Sequence, residues 1–249
     1  MPKMKKPDLT KAVEIADGIF WVGFDDTSAG FRCNPYILND GEETVFFDPG
    51  SVPHFPMVLE KAMQVTDLRR IKHVVVTHQD PDLCAAIPRF EELVTGIGGK
   101  FDICTHTRAS VLIAHYGTIS DYYRVDANDW KLTLKSGRTL KFIFAPFLHF
   151  PAAFMTYDEK SKILFSGDIF GGLSFDWNLY ANEHYSEAMK AWHENYMPSN
   201  AILRNTMNKL DGLDINMIAP QHGSIIPKKD VREYIEILKN CQCGEYYFD

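Results

Sequence analysis

Apolar residues along this chain fall in short runs rather than long stripes. Ile19-Phe-Trp-Val22, Asn34-Pro-Tyr-Ile-Leu38 and Thr44-Val-Phe-Phe47 read as strands, divided by the turn signals Asp17-Gly18, Asp40-Gly41 and Asp48-Pro-Gly50. Met57, Val58, Lys61 and Ala62 recur at helical spacing and predict a helix. His73-Val-Val-Val76 is a continuous apolar run, the pattern of a strand buried on both faces. Leu83 to Val94 reads as helix, with a break at Pro88. The second half echoes that order. Ile103 belongs to a short strand, and Ser110 to Tyr116 reads as helix. Trp130 to Leu134 alternates as a half-exposed strand, and Arg138 to Phe144 pairs back across Ser136-Gly137. Phe154 to Tyr157 and Ile163 to Phe165 are strands around a turn at Asp158-Glu-Lys160. Helices follow over Ser186 to Tyr196 and Ala201 to Leu210, then a strand over Asn216 to Ala219 and a helix over Lys229 to Asn240. Strands then helices, twice over, predict two mixed sheets packed together with helices outside.

The chain has 249 residues, with no internal repeat and no dividing linker, so a single domain over residues 1–249 is expected. A domain of that size buries about 70–75% of its unfolded surface. With 45% hydrophobic and 24% charged residues, disordered, collagen-like and disulfide-scaffold classes are excluded. No apolar run reaches the roughly 18 residues of a membrane span. The basic stretch Met1 to Pro7 is followed by no apolar segment, so no secretory signal is expected. A net charge of −7 disfavours nucleic acid and anionic membrane as partners. The five cysteines, Cys33, Cys84, Cys104, Cys241 and Cys243, are odd in number and form no C-x-x-C pair. They read as reduced thiols of a cytoplasmic protein.

The chemistry concentrates in Thr77-His78-Gln79-Asp80-Pro81-Asp82-Leu83, between an apolar strand and a helix. His78, Asp80 and Asp82 fall at alternate positions, and in extended backbone such residues project to one side. Two carboxylates brought together repel unless a proton or cation intervenes, and a divalent metal answers that. Asp80 or Asp82 as the N-cap of the following helix is equally compatible with this segment alone. Recurrence shifts the balance. His149, Asp168 and His222 each sit where an apolar strand gives way to a loop, with Gly167 and Gly223 beside two of them.

These segments together resemble the metallo-β-lactamase fold and, within it, the di-iron domain of the flavodiiron protein family. Thr77-His-Gln-Asp-Pro-Asp82 is similar to that family's H-x-[E/D]-x-D motif. Leu148-His-Phe-Pro151 with Thr156-Tyr157 resembles its second histidine segment, and Leu164-Phe-Ser-Gly-Asp-Ile-Phe-Gly171 its bridging-aspartate segment. Ala219-Pro-Gln-His-Gly223 resembles its last histidine segment, and Phe24-Asp25 through Asn34-Pro-Tyr-Ile-Leu38 adds support. The resemblance implies an α/β fold, a metallo-β-lactamase-like four-layer αββα sandwich, carrying two metals. His78, Asp80 and His149 would hold one, Asp82 and His222 the other, and Asp168 would bridge them. Hydrolases of this fold carry a histidine where Asp80 stands. The harder carboxylate favours iron or manganese over zinc, and iron is the expected pair. Leu83 stands where many relatives place another histidine, which leaves the second metal a position open to water or a diatomic. Flavodiiron reductases also carry a flavodoxin-like domain with FMN, and this chain has no room for one; no FMN is expected in it.

A ferrous pair with an open position should react with O₂, and slow electron supply suits a sensor better than a turnover enzyme. The resemblance runs closest to stand-alone oxygen-binding di-iron proteins linked to signalling, with a chemoreceptor as the kind of partner they imply. Oxygen sensing is therefore the leading expectation. Reduction of O₂ or NO with a separate flavodoxin or rubredoxin donor comes second, and a zinc-dependent hydrolase third. His54, His73, His106, His115, His184 and His193 read as structural or surface residues, with no carboxylate constellation around the first three or His184. Tyr122, Tyr123, Phe24, Phe147 and Phe150 read as core, with a place around the metal site as the alternative. Cys84 is left out because a hard iron site needs no thiolate. The aromatic tail from Cys241 to Asp249 suggests packing on a partner such as a second copy, in a homodimer.

Overall fold

The computed structural model describes residues 7–24, 32–174 and 177–244. The chain first lays down a seven-stranded sheet in sequence order: β1 (Val13–Ala16), β2 (Ile19–Trp21), β3 (Tyr36–Asp40), β4 (Glu43–Phe47), β5 (Ile71–Val75), β6 (Asp102–Thr105) and β7 (Tyr122–Arg124). The pairings β1–β2, β2–β3 and β3–β4 are antiparallel; β4–β5, β5–β6 and β6–β7 are parallel. Parallel neighbours need crossovers, and these are α1 (Phe55–Val65), α2 (Pro81–Cys84) with α3 (Ile87–Gly96), and α4 (Thr107–Ile113).

A six-stranded sheet follows, built from β8 (Lys131–Thr133), β9 (Thr139–Phe144), β10 (Phe154–Asp158), β11 (Ile163–Gly167), β12 (Met217–Pro220) and β13 (Ile226–Pro227). Only β11–β12 is parallel there, and its crossover carries α5 (Tyr185–Tyr196) and α6 (Asn200–Asn208). Helix α7 (Lys228–Lys239) closes the second half.

Three apolar clusters define four layers. Val58, Ala62, Ile87, Phe90 and Ile113 pack the first helices on Ile37, Phe46 and Val74 of the first sheet. Val45, Phe47 and Val75 meet Phe154, Phe165 and Ala219 between the sheets. Met189, Leu203, Met207 and Leu238 cover Met155, Leu164 and Ile218 from the far side. Every residue of β4, β10 and β11 is buried, as expected of strands covered on both faces. The architecture is the αββα sandwich with two mixed sheets.

Local differences from the sequence reading have simple causes. The helix expected over Leu83 to Val94 is interrupted at Ala85–Ala86, and Pro88 falls in the first turn of α3, where a proline removes a donor that has no intrahelical acceptor. Met57 is exposed while Val58, Lys61 and Ala62 are buried. Tyr122 and Tyr123 lie in β7, an edge strand too short for a visible pattern. Strand β1, with one buried residue, and the two-residue β13 carry no apolar run to mark them. Cys241 and Cys243 are buried in the outer cluster of the second half, whereas the tail's aromatics lie outside the described residues. All five cysteines are free thiols. Among the described residues no helix is long and apolar enough to cross a membrane.

Candidate metal centre

Strand β5 delivers the chain to Thr77 and His78. The Thr77 N–H donates to Asp48 Oδ1 at 2.9 Å, its hydroxyl reaches the same carboxylate at 3.2 Å, and that hydroxyl lies 3.3 Å from His78 Nδ1. Asp48 follows β4, so the parallel β4–β5 pairing seats the first histidine. Asp80 occupies the N-cap position of α2, but its side chain caps nothing. Its Oδ1 accepts from Gln79 Nε2 at 2.7 Å, and its Oδ2 lies 3.5 Å from His78 Nε2 and 3.3 Å from His149 Nε2. The extended triple expected over His78, Asp80 and Asp82 is not what forms. Pro81 starts the helix, and the turn swings Asp82 away to a position 3.1 Å from His222 Nε2.

Asp168 follows β11, where Gly167 has φ +58° and a Cβ would lie 2.9 Å from Thr77 Oγ1. The two sheets approach this closely because that side chain is missing. His222 sits in the loop after β12. Asn34 clamps this loop: its Nδ2 donates to the Pro220 and Gly223 carbonyls at 3.0 and 2.8 Å, and Trp21 Nε1 donates to its Oδ1 at 2.8 Å. His222 Nδ1 donates to the Arg32 carbonyl at 2.8 Å. That bond fixes the tautomer and turns the Nε2 lone pair toward the carboxylates.

Asp168 lies between two donor clusters. Its Oδ2 is 3.5 Å from His78 Nε2 and 3.1 Å from His149 Nε2, while its Oδ1 is 3.6 Å from His222 Nε2. All six residues singled out from sequence converge. His78, Asp168 and His222 are buried, whereas Asp80, Asp82 and His149 are half-buried at the rim.

The charges are strongly coupled. Burial pulls the His149 imidazolium down, but Asp168 and Asp80 outweigh it and hold its pKa up to about 10. The same contest, burial against Asp168 and Asp80, leaves His78 raised. For His222, burial is outweighed by Cys33, Asp168 and Asp82. Burial opposes ionisation of Asp168 and Asp80, yet the surrounding histidines hold both well below the usual carboxylate range. His78 Nε2 and Asp168 Oδ1 are buried without any hydrogen-bond partner. Such orphaned atoms cost about 1–3 kcal/mol each, and both point into the space between the clusters. Three imidazoles and three carboxylates with unmet lone pairs fit a pair of divalent cations, whose binding would displace the imidazolium protons.

Sequence reasoning missed three neighbours of this centre. Trp192 and Tyr196, one turn apart on α5, stack at 3.9 Å and set their rings 5.6 Å from those of His222 and His149 respectively. Cys33 Sγ lies 3.9 Å from Asp82 Oδ2. The aromatic pair was visible only as helical spacing, and Cys33 carried no signal. The other aromatics stand elsewhere: Phe24 stacks on His54 at 3.7 Å, and Phe147 is exposed.

The remaining histidines divide. His193 is structural: its Nδ1 donates to the Met189 carbonyl at 2.7 Å, its Nε2 accepts from Phe170 N at 3.1 Å, and burial pushes its pKa down to about 4. His73 requires a correction, because it does have a carboxylate partner. Parallel pairing of β5 with β6 sets it opposite Asp102, at 2.6 Å, with Cys104 adjoining. His106 and His184 also have acidic neighbours, Asp126 at 3.8 Å and Glu183 at 3.6 Å.

A sequence profile for the ODP family beta lactamase matches residues 31–223. The nitric oxide reductase of Moorella thermoacetica is 30% identical over 247 residues, which cover 92% of this chain and 60% of that one. The chain therefore spans about three fifths of that relative. Among solved structures, the peroxy diiron species of chemotaxis sensor ODP superposes with a TM-score of 0.76 at 26% identity, over 95% of this chain and 97% of that one. The flavodiiron protein from Giardia intestinalis superposes with a TM-score of 0.84 at 25% identity, over 94% of this chain and 60% of that one. With a two-sheet sandwich, a histidine–aspartate centre at its loop end, and a profile match over most of its length, this chain belongs to the ODP family of β-lactamase-fold domains.

Proposed function

We propose that this protein is a non-haem di-iron protein that binds and reacts with O₂ and serves as an oxygen sensor in signalling. The observation that carries this reading is the split of Asp168, with Oδ2 facing His78 and His149 and Oδ1 facing His222. A carboxylate so placed would bridge two ions. His78, Asp80 and His149 would hold one, Asp82 and His222 the other. Three hard carboxylates favour iron or manganese over zinc, and three imidazoles beside them suit iron. A ferrous pair supplies two electrons to a diatomic ligand. The protein orients the His78 and His222 imidazoles through the Asp48–Thr77–His78 relay and the Arg32 carbonyl. It shields the imidazoles with Trp192 and Tyr196, and it leaves the half-buried Asp80, Asp82 and His149 rim as the path for a small ligand.

The naming of a family relative as a chemotaxis sensor supports a signalling partner of the chemoreceptor class. A homodimer acting in the cytoplasm is the form in which we expect it to signal. A second reading has its own support, since a 30% identical relative is a nitric oxide reductase. In that case a separate flavodoxin or rubredoxin feeds the same centre for O₂ or NO reduction.

Elemental analysis of iron-grown protein, then anaerobic ferrous protein exposed to O₂ and followed optically, tests the proposal. Two irons per chain and one stoichiometric oxygen reaction are expected. Many turnovers with flavodoxin or rubredoxin would establish the reductase instead. Zinc with ester or thioester hydrolysis would overturn both.

A further inference from the structure

Strands β5 and β6 carry a second group of donors, none of them among the six of the metal centre. Parallel pairing sets His73 opposite Asp102, and Cys104 stands two residues further along β6, on the same face as Asp102. His73 Nδ1 lies 2.6 Å from Asp102 Oδ1, Cys104 Sγ lies 3.4 Å from that same oxygen, and sulfur and nitrogen are 3.9 Å apart. These separations put the three atoms on a circle of radius about 2.0 Å, close to the zinc–ligand bond lengths of about 2.0–2.3 Å. One ion near the centre of that circle reaches all three donors without backbone movement.

The hydrogen bonding addresses the same point. The nitrogen that faces the sulfur is the nitrogen that faces the carboxylate, and imidazole and thiol share the single oxygen Asp102 Oδ1. Cys104 is fully buried in the apolar layer between the sheets, while His73 and Asp102 are half-buried at its edge. Burial, then the Asp102 charge, pushes the Cys104 thiol well up, so the sulfur keeps its proton until a cation displaces it. The half-buried edge lets water take a fourth position on such a cation.

We propose that His73, Asp102 and Cys104 form a binding site for one zinc-class divalent cation, with water as its fourth ligand. The site is separate from the di-iron centre and does not rest on that reading. Binding breaks the S–H bond and forms a metal–sulfur bond; the thiol proton leaves to water, the imidazole proton moves from Nδ1 to Nε2, and no electron is transferred. Thiolate with imidazole selects zinc or cobalt(II) over magnesium and calcium. An ion here clips β5 to β6, and β5 is the strand that leads to Thr77 and His78.

Cobalt(II) titrated anaerobically into the metal-free, full-length chain is the test. One ion should bring a thiolate-to-cobalt charge-transfer band in the near ultraviolet, because the six donors of the other centre include no sulfur. Zinc should bleach the band and magnesium should not. The affinity read from the band should rise about tenfold between about pH 7 and about pH 8, one proton being released per ion. Cys104→Ser should lose the band, whereas Cys33→Ser and Cys84→Ser should keep it. His73→Asn, at a half-buried position that leaves the core intact, should raise the cobalt concentration needed for the band about tenfold or more. No band in the unaltered protein would overturn the site and leave a His73–Asp102 hydrogen bond beside a buried thiol. A band that survives in Cys104→Ser, one that disappears in Cys33→Ser, or an unchanged midpoint in His73→Asn would overturn it as well. Each of these results leaves the di-metal reading untouched.

Discussion

Asp48→Asn probes the relay that seats the first histidine. Asp48 is 5% exposed and accepts from both the backbone N–H and the hydroxyl of Thr77. Burial pushes its carboxyl up to about 7, against the Thr77 hydrogen bonds and the His78 charge, while Asp168 adds to the rise. Its folded pKa thus stands above the unfolded value of about 3.9. A group raised in this way contributes stability fully below the unfolded pKa and loses it as pH climbs through the folded one. Between about pH 5 and about pH 8 the linkage amounts to a loss of about 3 kcal/mol from this residue. Asparagine keeps the shape and cannot titrate. The stability of Asp48→Asn minus that of the unaltered protein should therefore rise by about 3 kcal/mol across that window. Guanidinium unfolding of both metal-free proteins over a pH series, with equal denaturant slopes, measures the difference. A flat difference, or one falling with pH, would refute the argument that burial dominates at Asp48. The consequence for the centre is direct. Ionised Asp48 holds the Thr77 hydroxyl as its donor, which leaves that oxygen to accept from His78 Nδ1 and frees Nε2 to face a metal.

Asp168→Ala should lower metal affinity by more than the roughly 10–100-fold typical of outer-shell changes and abolish the optical oxygen reaction; two irons and a normal reaction in the variant would remove its bridging role. Leu83→His places an imidazole in an apolar cluster. It should cost the metal-free protein about 2 kcal/mol in denaturant unfolding and alter the oxygen reaction, and an unchanged reaction would show that Leu83 does not matter to the site. Arg138→Met leaves Asp158, fully buried and bonded to Arg138 Nε at 2.9 Å, without its cation. Thermal or denaturant unfolding should register a loss of about 3–5 kcal/mol, with metal stoichiometry unchanged.

Much of this protein is written in its local pattern. Alternating and continuous apolar runs fixed the type of most long elements, because burial on one or two faces imposes period and composition directly. The identity of the six donors was also legible, since His78, Asp80, Asp82, His149, Asp168 and His222 each follow an apolar run, and their motifs resemble one family's. Capping against ligation at Asp80 was not legible. The same residue can occupy the N-cap position and still aim its carboxylate elsewhere, and backbone position does not dictate side-chain direction.

What the sequence determined by itself was therefore the alphabet of the centre and the alternation of strand and helix that carries it. Tertiary structure decided the grouping. The helix begun by Pro81 parted Asp82 from Asp80, parallel pairing set His73 against Asp102, and the Asn34 clamp brought Cys33 within reach of His222, 189 positions away. Hydrophobic periodicity reports only on neighbours along the chain. Distances between groups far apart in sequence are set by how sheets and crossovers pack, so the pairing of ligands and the nearby thiol became visible only in the fold.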